Sequence, residues 1–221
     1  MPVALLPPDD DSTPFPPVET AASVPNGLLA VGGSLRVNRL LAAYRHGIFP
    51  WFGEGEPILW WAPDPRCVIF PEELHIARSL RRTLNRHTFT VTRNRAFAAV
   101  VEGCAAPRPG SPGTWILPEM IEAYTELHRQ GYGISFECWT DTGELAGGIY
   151  GVHLGRVFFG ESMFSRRTDA SKIAMVHVAA ADDIELIDCQ LPNPHLSRLG
   201  AREIPRRQFT RLLQVYGAGR P

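Results

Sequence analysis

Residues 147–190, GGIYGVHLGRVFFGESMFSRRTDASKIAMVHVAAADDIELIDCQ, contain two strand-like segments separated by an apolar helix-like segment. The strand-like segments are VFFGES at 157–162 and ELIDCQ at 185–190. Because side chains alternate between the faces of a strand, Asp188 and Gln190 are predicted to share one face. By the same rule, Phe159 and Glu161 point together. The pattern predicts a strand–helix–strand unit with polar side chains at both strand ends.

These polar strand ends allow two interpretations. A carboxylate and an amide at the end of an apolar strand are costly to bury without partners. They can cap a turn or satisfy nearby backbone groups. The combination of Asp188 and Gln190 with Glu161 on a neighbouring strand favours the alternative, a functional site.

Composition predicts a folded, soluble protein, with one large domain or two modest ones in 221 residues. Hydrophobic residues make up 44% and charged residues 20%, and the net charge is −1. A near-neutral chain has no global field that recruits nucleic acid, so such binding needs a local patch. No apolar run approaches the roughly 18–20 residues of a membrane helix, and the N-terminus lacks a signal-peptide pattern. We therefore expect a cytoplasmic protein.

The four cysteines are far apart, with no CxxC pair and no accompanying histidine spacing. They are Cys67, Cys104, Cys138 and Cys189. This spacing does not predict a metal site, and we expect free thiols.

One local basic segment stands out, because no acidic residue occurs from 74 to 101. Its arginines are Arg78, Arg81, Arg82, Arg86, Arg93 and Arg95. They can form a solvated helix face that pairs with acids elsewhere. Alternatively, they can contact the phosphate backbone of a nucleic acid, where each neutralised phosphate adds counterion-release affinity.

An aromatic cluster precedes this segment and contains three of the five tryptophans. It comprises Phe49, Trp51, Phe52, Trp60 and Trp61. The cluster can be a small satellite core or a platform for a planar ligand such as a base. The proline-bracketed APDPR at 62–66 is typical of a boundary and predicts domains at 1–65 and 66–221. The first 20 or so residues, rich in proline, are predicted to be extended and mobile.

The remaining elements predict an α+β fold. Ser34 is expected to cap the first helix, and Pro71 to begin a helix that continues to His87. Further elements are a strand at 89–92, helices at 94–105 and 118–131, a hairpin over 133–154, and the unit described above, with its helix at 170–182. A helix at 205–216 follows. Helix 170–182 is expected to pack on the sheet.

Several chemistries lack their motifs. GESMF at 160–164 has no second glycine of a nucleophile elbow, the histidines lack HExxH spacing, and no P-loop is present. No glycine-rich pyrophosphate loop precedes helix 170–182. The remaining chemistry is acyl transfer without a protein nucleophile, in which an amine attacks an acyl group that arrives on a carrier.

An ordered set of motifs extends over roughly residues 25–210. They are PNGLLAVGG (25–33), FPWF (49–52), ILWWAPDPR (58–66), TWI (114–116), GGIYG (147–151), FFGESMFS (158–165), DASK (169–172), LIDCQ (186–190) and LGAREIPRRQF (199–209). The chain thereby resembles the leucyl/phenylalanyl-tRNA–protein transferase family. GESMFS followed by LIDCQ is the most specific pair.

The resemblance implies a small N-terminal α/β domain joined to a larger domain similar to the GNAT acyltransferases. It also implies transfer of leucine or phenylalanine, and methionine less readily, from aminoacyl-tRNA to proteins that begin with Arg or Lys. The transfer belongs to the N-degron pathway and marks those proteins for degradation. No metal, cofactor or membrane is implied, and we expect a monomer.

The resemblance assigns roles to individual residues. The catalytic positions are Asp188, Gln190 and Glu161; the substrate-binding positions are Trp51, Trp115, Ile149, Phe158, Ser162 and Met175. The basic segment adds Arg78, Arg81, Arg82 and Arg86, which are expected to meet tRNA phosphates. Relatives can carry Met at position 149, so Ile149 leaves the ranking of donor amino acids open.

The sequence leaves two other functions open. One is a non-catalytic RNA-binding module that kept the fold, and the other is an acyl-CoA-dependent acetyltransferase. A changed amino-acid donor is a further alternative. For the family reaction, Asp188 is expected to orient Gln190, and Gln190 to contact the attacking amine. Glu161 would hold either the amino group of the donor or the cationic end of the acceptor.

Overall fold

Two β-sheets and seven α-helices lie within residues 3–8, 11–107, 114 and 116–219, the part of the chain that the computed structural model describes. The predicted mixture of helices and strands is confirmed. None of the helices in these ranges has the length and apolar character needed to cross a membrane. The division at 65/66 and the likeness to acyltransferase domains stay predictions.

The first sheet has four short strands in the order β1-β2-β4-β3. They are β1 (Ala4–Leu6), β2 (Leu28–Gly32), β3 (Phe49–Pro50) and β4 (Leu59–Trp61). The first two strands are parallel, and the other pairs are antiparallel. Helix α1 (Val37–Arg45) follows β2 and buries an apolar stripe that includes Leu40, Leu41 and Tyr44.

The predicted cap of α1 is wrong. The N-cap residue is Arg36, and no side chain caps the helix. The Ser34 hydroxyl instead donates to Asp11 at 2.6 Å and accepts the Arg36 backbone N–H at 3.2 Å. A charged acceptor from the N-terminal segment therefore engages this hydroxyl, and the helix begins two residues later than a Ser34 cap requires.

The second sheet has seven strands in the order β11-β5-β10-β9-β8-β7-β6. They are β5 (Arg66–Ile69), β6 (Thr90–Arg93), β7 (Gly133–Trp139), β8 (Leu145–Leu154), β9 (Val157–Ser165), β10 (Leu186–Gln190) and β11 (Arg202–Ile204). All neighbours are antiparallel except β9 and β10, which are parallel. The predicted hairpin over 133–154 is confirmed as β7 and β8.

Six helices accompany this sheet. They are α2 (Arg78–Asn85), α3 (Phe97–Ala105), α4 (Pro118–Arg129), α5 (Ala170–Ala179), α6 (Pro194–Arg198) and α7 (Arg206–Val215). The single helix predicted from Pro71 to His87 is wrong, because only a 3-10 turn (Pro71–Glu73) precedes an extended segment. The His75 N–H donates to the Leu199 carbonyl at 2.9 Å, and this tertiary contact holds the segment away from helical geometry.

Glycines in β8 allow helices to approach the sheet from both faces. A side chain added at Gly147 would lie 2.7 Å from Ala170 of α5, and one added at Gly148 would lie 3.1 Å from Val100 of α3. Neighbouring strand residues point to opposite faces, so the two helices pack on opposite sides of β8. The sheet is thereby covered by α5 on one side and α3 on the other.

The predicted strand–helix–strand unit is confirmed as β9–α5–β10. Its two strands pair in parallel, with Phe159 opposite Asp188, and α5 buries Ile173 and Met175. Since parallel strands run in the same direction, their carboxyl ends meet at one edge of the sheet. The end of β10 therefore lies beside Glu161 in β9.

Candidate active site

A buried ion pair joins the start of β5 to the end of β10. Arg66 Nε donates to Asp188 Oδ1 at 2.7 Å, and Arg66 Nη2 donates to Oδ2 at 2.6 Å. The exposed fractions of the two side chains are 1% and 0%. The guanidinium also lies over two rings, 4.6 Å from the centre of Phe49 and 4.8 Å from that of Phe209. Bidentate hydrogen bonds and aromatic stacking compensate a buried guanidinium for the loss of its hydration.

Asp188 also fixes the backbone of Gln190. Its Oδ1 accepts the Gln190 N–H at 3.0 Å, and Gln190 has a φ of 62°, in the left-handed region. The ladder with β5 shifts register between Asp188 and Gln190, so a bulge interrupts the strand here. The prediction that simple alternation carries both residues to one face is wrong at this point, although both side chains line the same cavity. Gln190 turns towards β9, where Nε2 donates to Glu161 Oε1 at 3.0 Å.

Glu161 lies at a second bulge, in β9. Tyr150 of β8 pairs with Ser162 and Gly151 with Gly160, which leaves Glu161 without an opposite residue. A bulge of this kind re-aims a side chain. The carboxylate accepts a hydrogen bond from Tyr44 of α1 at 2.8 Å and one from Tyr124 of α4 at 2.6 Å. Helices from two parts of the chain thus meet at one carboxylate.

Burial controls the titration of this cluster. It raises the pKa of Glu161 from 4.5 to about 7, with an added contribution from the Asp188 carboxylate, although hydrogen bonds from Tyr124 and Tyr44 oppose the rise. Burial and then the charge of Glu161 raise the pKa values of Tyr44, Tyr124 and Tyr150 well above the ordinary value. The phenols therefore stay neutral donors. The Tyr150 hydroxyl is buried and has no hydrogen-bond partner among the described residues.

These polar groups open into a cavity of about 840 Å³. The polar lining includes Glu161, Ser162, Asp188, Gln190, Asn193 and His195. The apolar lining includes Ile149, Met163, Met175, Ile187, Leu191 and Leu196. A site of this kind fits a ligand with an apolar side chain attached to a polar reacting centre.

Most of the predicted substrate-binding residues line this cavity. Ile149, Ser162 and Met175 do so, and Trp51 does so as well while being 43% exposed. Phe158 is fully buried in the same core cluster as Ile149 and Met175, and it is not part of the described lining. Trp115 lies outside the described residues.

Three of the predicted tRNA-contacting arginines lie on α2, and Arg86 is its C-cap residue. Arg78, Arg81, Arg82 and Arg86 are all exposed, and none forms an ion pair within the described residues. Arg93 differs, because Asp183 holds it through two hydrogen bonds of 2.9 and 2.8 Å. The usable basic surface is therefore shorter than the acid-free segment of the sequence.

Helix α2 is connected to the cavity through α5. The Thr83 hydroxyl donates to Asp169 at 3.1 Å, and Lys172 binds the other oxygen of Asp169 at 2.7 Å. Ser171 and Met175 of α5 line the cavity. The basic helix and the cavity thus share one supporting element.

Three residues of the cluster are not identified by the sequence reasoning. The sequence places Arg66 in a domain boundary and gives Tyr44 and Tyr124 no functional role. One signal pointed to Arg66, because an arginine directly before the apolar strand CVIF needs a buried partner, and Asp188 is an acid inside the apolar LIDC. Within the described residues, no three His, Cys, Asp or Glu side chains form a group suited to a metal ion.

Comparisons with known proteins show the family of the chain. Residues 68–214 match the family model described as leucyl/phenylalanyl-tRNA protein transferase, and residues 33–64 match the model of its N-terminal domain. Curated relatives of that name include one from Nitrosomonas europaea, 57% identical over 93% of this chain and 88% of the relative. Another, from Methylococcus capsulatus, is 52% identical over 97% of this chain and 92% of the relative.

The chain is an aminoacyltransferase, an enzyme whose family takes its acyl group from aminoacyl-tRNA. It belongs to the leucyl/phenylalanyl-tRNA protein transferase family. Among solved structures, L-PGS from Bacillus licheniformis superposes with a TM-score of 0.39 at 9% identity, over 75% of this chain and 54% of that one. A likeness of that size supports no conclusion about this chain.

The raised pKa of Glu161 predicts a pH-dependent contribution to stability. The unfolded carboxyl ionises near pH 4.5 and the folded one near 7. Between these values the folded state binds more protons, so the free energy of unfolding should fall as pH rises, by roughly 3 kcal/mol in total. Urea unfolding of the wild type and Glu161→Gln at several pH values measures the difference.

The exposed carboxyl Glu54 provides a matched control, because Glu54→Gln removes a charge from the surface. This variant should follow the wild-type pH curve, and Glu161→Gln should lose the decline. Parallel curves for the wild type and Glu161→Gln between pH 4.5 and 7 would contradict the electrostatic account of this carboxyl.

Proposed function

We propose that this chain transfers leucine or phenylalanine, and methionine less readily, from aminoacyl-tRNA to proteins that begin with Arg or Lys. The modified N-terminus then marks those proteins for degradation. The observation that carries the proposal is the hydrogen-bonded group of Asp188, Gln190 and Glu161 at the wall of an otherwise apolar cavity. Such a cavity suits an apolar aminoacyl group and an incoming amine together.

The apolar lining would hold the donor side chain. Ile149 and Met175 line the cavity, and Phe158 packs in the core cluster that contains both. Phe158 would then shape the pocket by packing against the residues that line it. A missing methylene in an apolar pocket costs only about 1–3 kcal/mol, so several apolar amino acids can be accepted. Ser162, also in the lining, would contact the polar part of the donor.

The acceptor amine would meet Gln190. Because Gln190 Nε2 donates to Glu161, the carbonyl oxygen of the same amide is its acceptor group for an N–H of the amine. Asp188 would act on the amine through the backbone of Gln190, since the charge of Asp188 is already paired with that of Arg66. Holding the ester and the amine together removes much of the entropic barrier to their reaction.

Glu161 would accept the proton of the amine. A free α-amino group has a pKa of about 7.7–8.0, and the pKa of Glu161 is about 7. A base with a pKa near that of its proton donor is well matched for the transfer. The amine nitrogen bonds to the ester carbonyl carbon, the carbon–oxygen bond to the tRNA breaks, and the leaving 3′-oxygen takes up a proton. The aminoacyl ester is already activated, so no ATP is consumed.

Glu161 is also the better candidate to attract the cationic end of the acceptor. Of the described residues that line the cavity, the carboxylates are Glu161 and Asp188. Asp188 is already neutralised by Arg66, and Glu161 is surrounded by neutral phenols and an amide. An N-terminal Arg or Lys would therefore be drawn towards Glu161 rather than Asp188.

The tRNA would bind along one continuous surface. Its terminal adenine would stack on Trp51, which lines the cavity and is exposed, or on Trp115. The arginines of α2 would neutralise phosphates of the acceptor stem without reading its sequence. The division into domains at 1–65 and 66–221 is part of the same proposal, and it is supported by the separate family matches.

Transfer of labelled leucine, phenylalanine and methionine from their tRNAs to peptides that begin with Arg, Lys or Ala tests the function directly. The wild type should modify the first two peptides. Gln190→Ala should lower kcat/KM about a hundredfold or more, with little change in the affinity for tRNA, because it removes the contact to the amine.

Three outcomes would contradict this function. Binding of tRNA without any product would indicate an RNA-binding module. Acylation by acetyl-CoA alone would indicate an acetyltransferase. Equal modification of the Ala-initiated peptide would remove the proposed role of Glu161 in acceptor choice.

The basic helix yields a separate prediction. Arg81→Glu with Arg82→Glu should raise the KM for aminoacyl-tRNA about tenfold or more and lower its salt dependence, because fewer phosphates are neutralised. Transfer from 3′-O-aminoacyl-adenosine, which has no phosphate, should be unchanged. The kinetics are measured with both donors between 50 and 200 mM salt, the range over which such contacts weaken strongly.

The matched control reverses two exposed arginines of α7, Arg207→Glu with Arg211→Glu. This change alters net charge by the same amount and should leave KM for tRNA near the wild-type value. If the α2 variant impairs the adenosine donor as strongly as full tRNA, the arginines do not act on phosphates.

A further inference from the structure

A histidine lines the cavity and has no role in the chemistry described above. His195 belongs to α6, the short helix that follows β10. Its Nε2 is buried and has no hydrogen-bond partner among the described residues. A buried polar atom without a partner is costly, so the most economical explanation is a partner that an occupant of the cavity brings.

A capped helix start and a buried neighbouring residue fix the position of His195. Asn193 caps α6, since its Oδ1 accepts the Leu196 N–H at 2.9 Å. Leu196 is buried in the core, and it also lines the cavity. A capped turn with a buried anchor directly after His195 holds the imidazole at the wall of the cavity rather than in solvent.

The surroundings of His195 favour an anionic occupant. Burial lowers the pKa of His195, and the charges of Lys172 and Arg198 lower it further. The imidazole is therefore neutral near pH 7 and keeps one N–H donor. Lys172 is already paired with Asp169, whereas Arg198 is exposed and forms no ion pair within the described residues. A cation of this kind beside a neutral donor is a suitable environment for a phosphate group.

The same place is connected to the basic helix. Lys172 shares Asp169 with Thr83 of α2. The Asp169 carboxylate therefore links α2, with its exposed arginines, to the helix that carries Lys172 near His195. A phosphate near His195 would continue the path of a nucleic-acid backbone from α2 into the cavity.

We propose that His195, with Arg198 beside it, binds the phosphodiester that joins the terminal adenosine of the donor tRNA to the preceding nucleotide. This inference rests on the proposed transfer from aminoacyl-tRNA. It adds a phosphate subsite at the wall of the cavity, separate from the arginines that meet the acceptor stem. The subsite would fix the end of the donor chain and so place the ester beside Gln190.

Three donors distinguish the phosphate from the rest of the nucleotide. They are 3′-O-phenylalanyl-adenosine, the cytidylyl-adenosine dinucleotide carrying the same ester, and that dinucleotide with an uncharged methylphosphonate link. The wild type should have a lower KM for the phosphodiester than for the other two. His195→Ala should raise the KM for the phosphodiester about tenfold and leave the KM for phenylalanyl-adenosine unchanged.

His195→Gln retains an amide N–H and should recover part of the loss, and the exposed His46→Gln provides the matched control outside the cavity. An equal loss for the phosphate-free donor would overturn the assignment and indicate a contact with the adenosine or a structural role. Equal KM values of the wild type for phosphodiester and methylphosphonate would also overturn it, with no variant needed. Absence of transfer from full phenylalanyl-tRNA would refute the proposed function instead.

Discussion

The buried ion pair between Arg66 and Asp188 is the constraint on which the site depends. It joins two neighbouring strands, and its two residues lie 122 positions apart in the sequence. Removing one partner would leave a buried charge without compensation, which typically costs about 3–5 kcal/mol. The same carboxylate accepts the Gln190 N–H and holds a left-handed backbone conformation that glutamine rarely adopts. The geometry of Gln190 therefore depends on an ion pair that is costly to break.

The groups that contact Glu161 differ from those that contact Asp188, and the two carboxylates therefore have different roles. Both carboxylates are buried, but Asp188 faces a guanidinium and Glu161 faces neutral hydroxyls and an amide. Burial is the main reason that the pKa of Glu161 rises to about 7, and the hydrogen bonds from the tyrosines only partly offset it. One carboxylate is suited to fix geometry, and the other to exchange a proton near neutral pH. The two tyrosines that contact Glu161 come from α1 and α4, so the cluster also ties the early helix to the second sheet.

The sequence predicted the parts of the fold that depend on regular periodicity. The strand–helix–strand unit at 157–190 follows from strand-like segments on either side of an apolar helix. Periodicity does not reveal the bulges at Glu161 and Gln190, where the alternation of side chains breaks and the polar groups turn towards each other. Nor does it reveal that a contact with Leu199 keeps His75 out of a helix. The motifs identified the family, whereas Arg66, Tyr44 and Tyr124 emerged only from contacts between distant segments.

The most direct measurement separates the two consequences of the ion pair, stability and positioning. Arg66→Met and Asp188→Leu, made singly and together, are compared by urea unfolding and by phenylalanyl transfer to an Arg-initiated peptide. Each single variant should lose several kcal/mol of stability, and the double variant should recover most of it, because two apolar side chains can replace a buried pair. Transfer should stay absent in the double variant, since Gln190 has lost the acceptor for its N–H. A double variant that transfers at the wild-type rate would contradict the account.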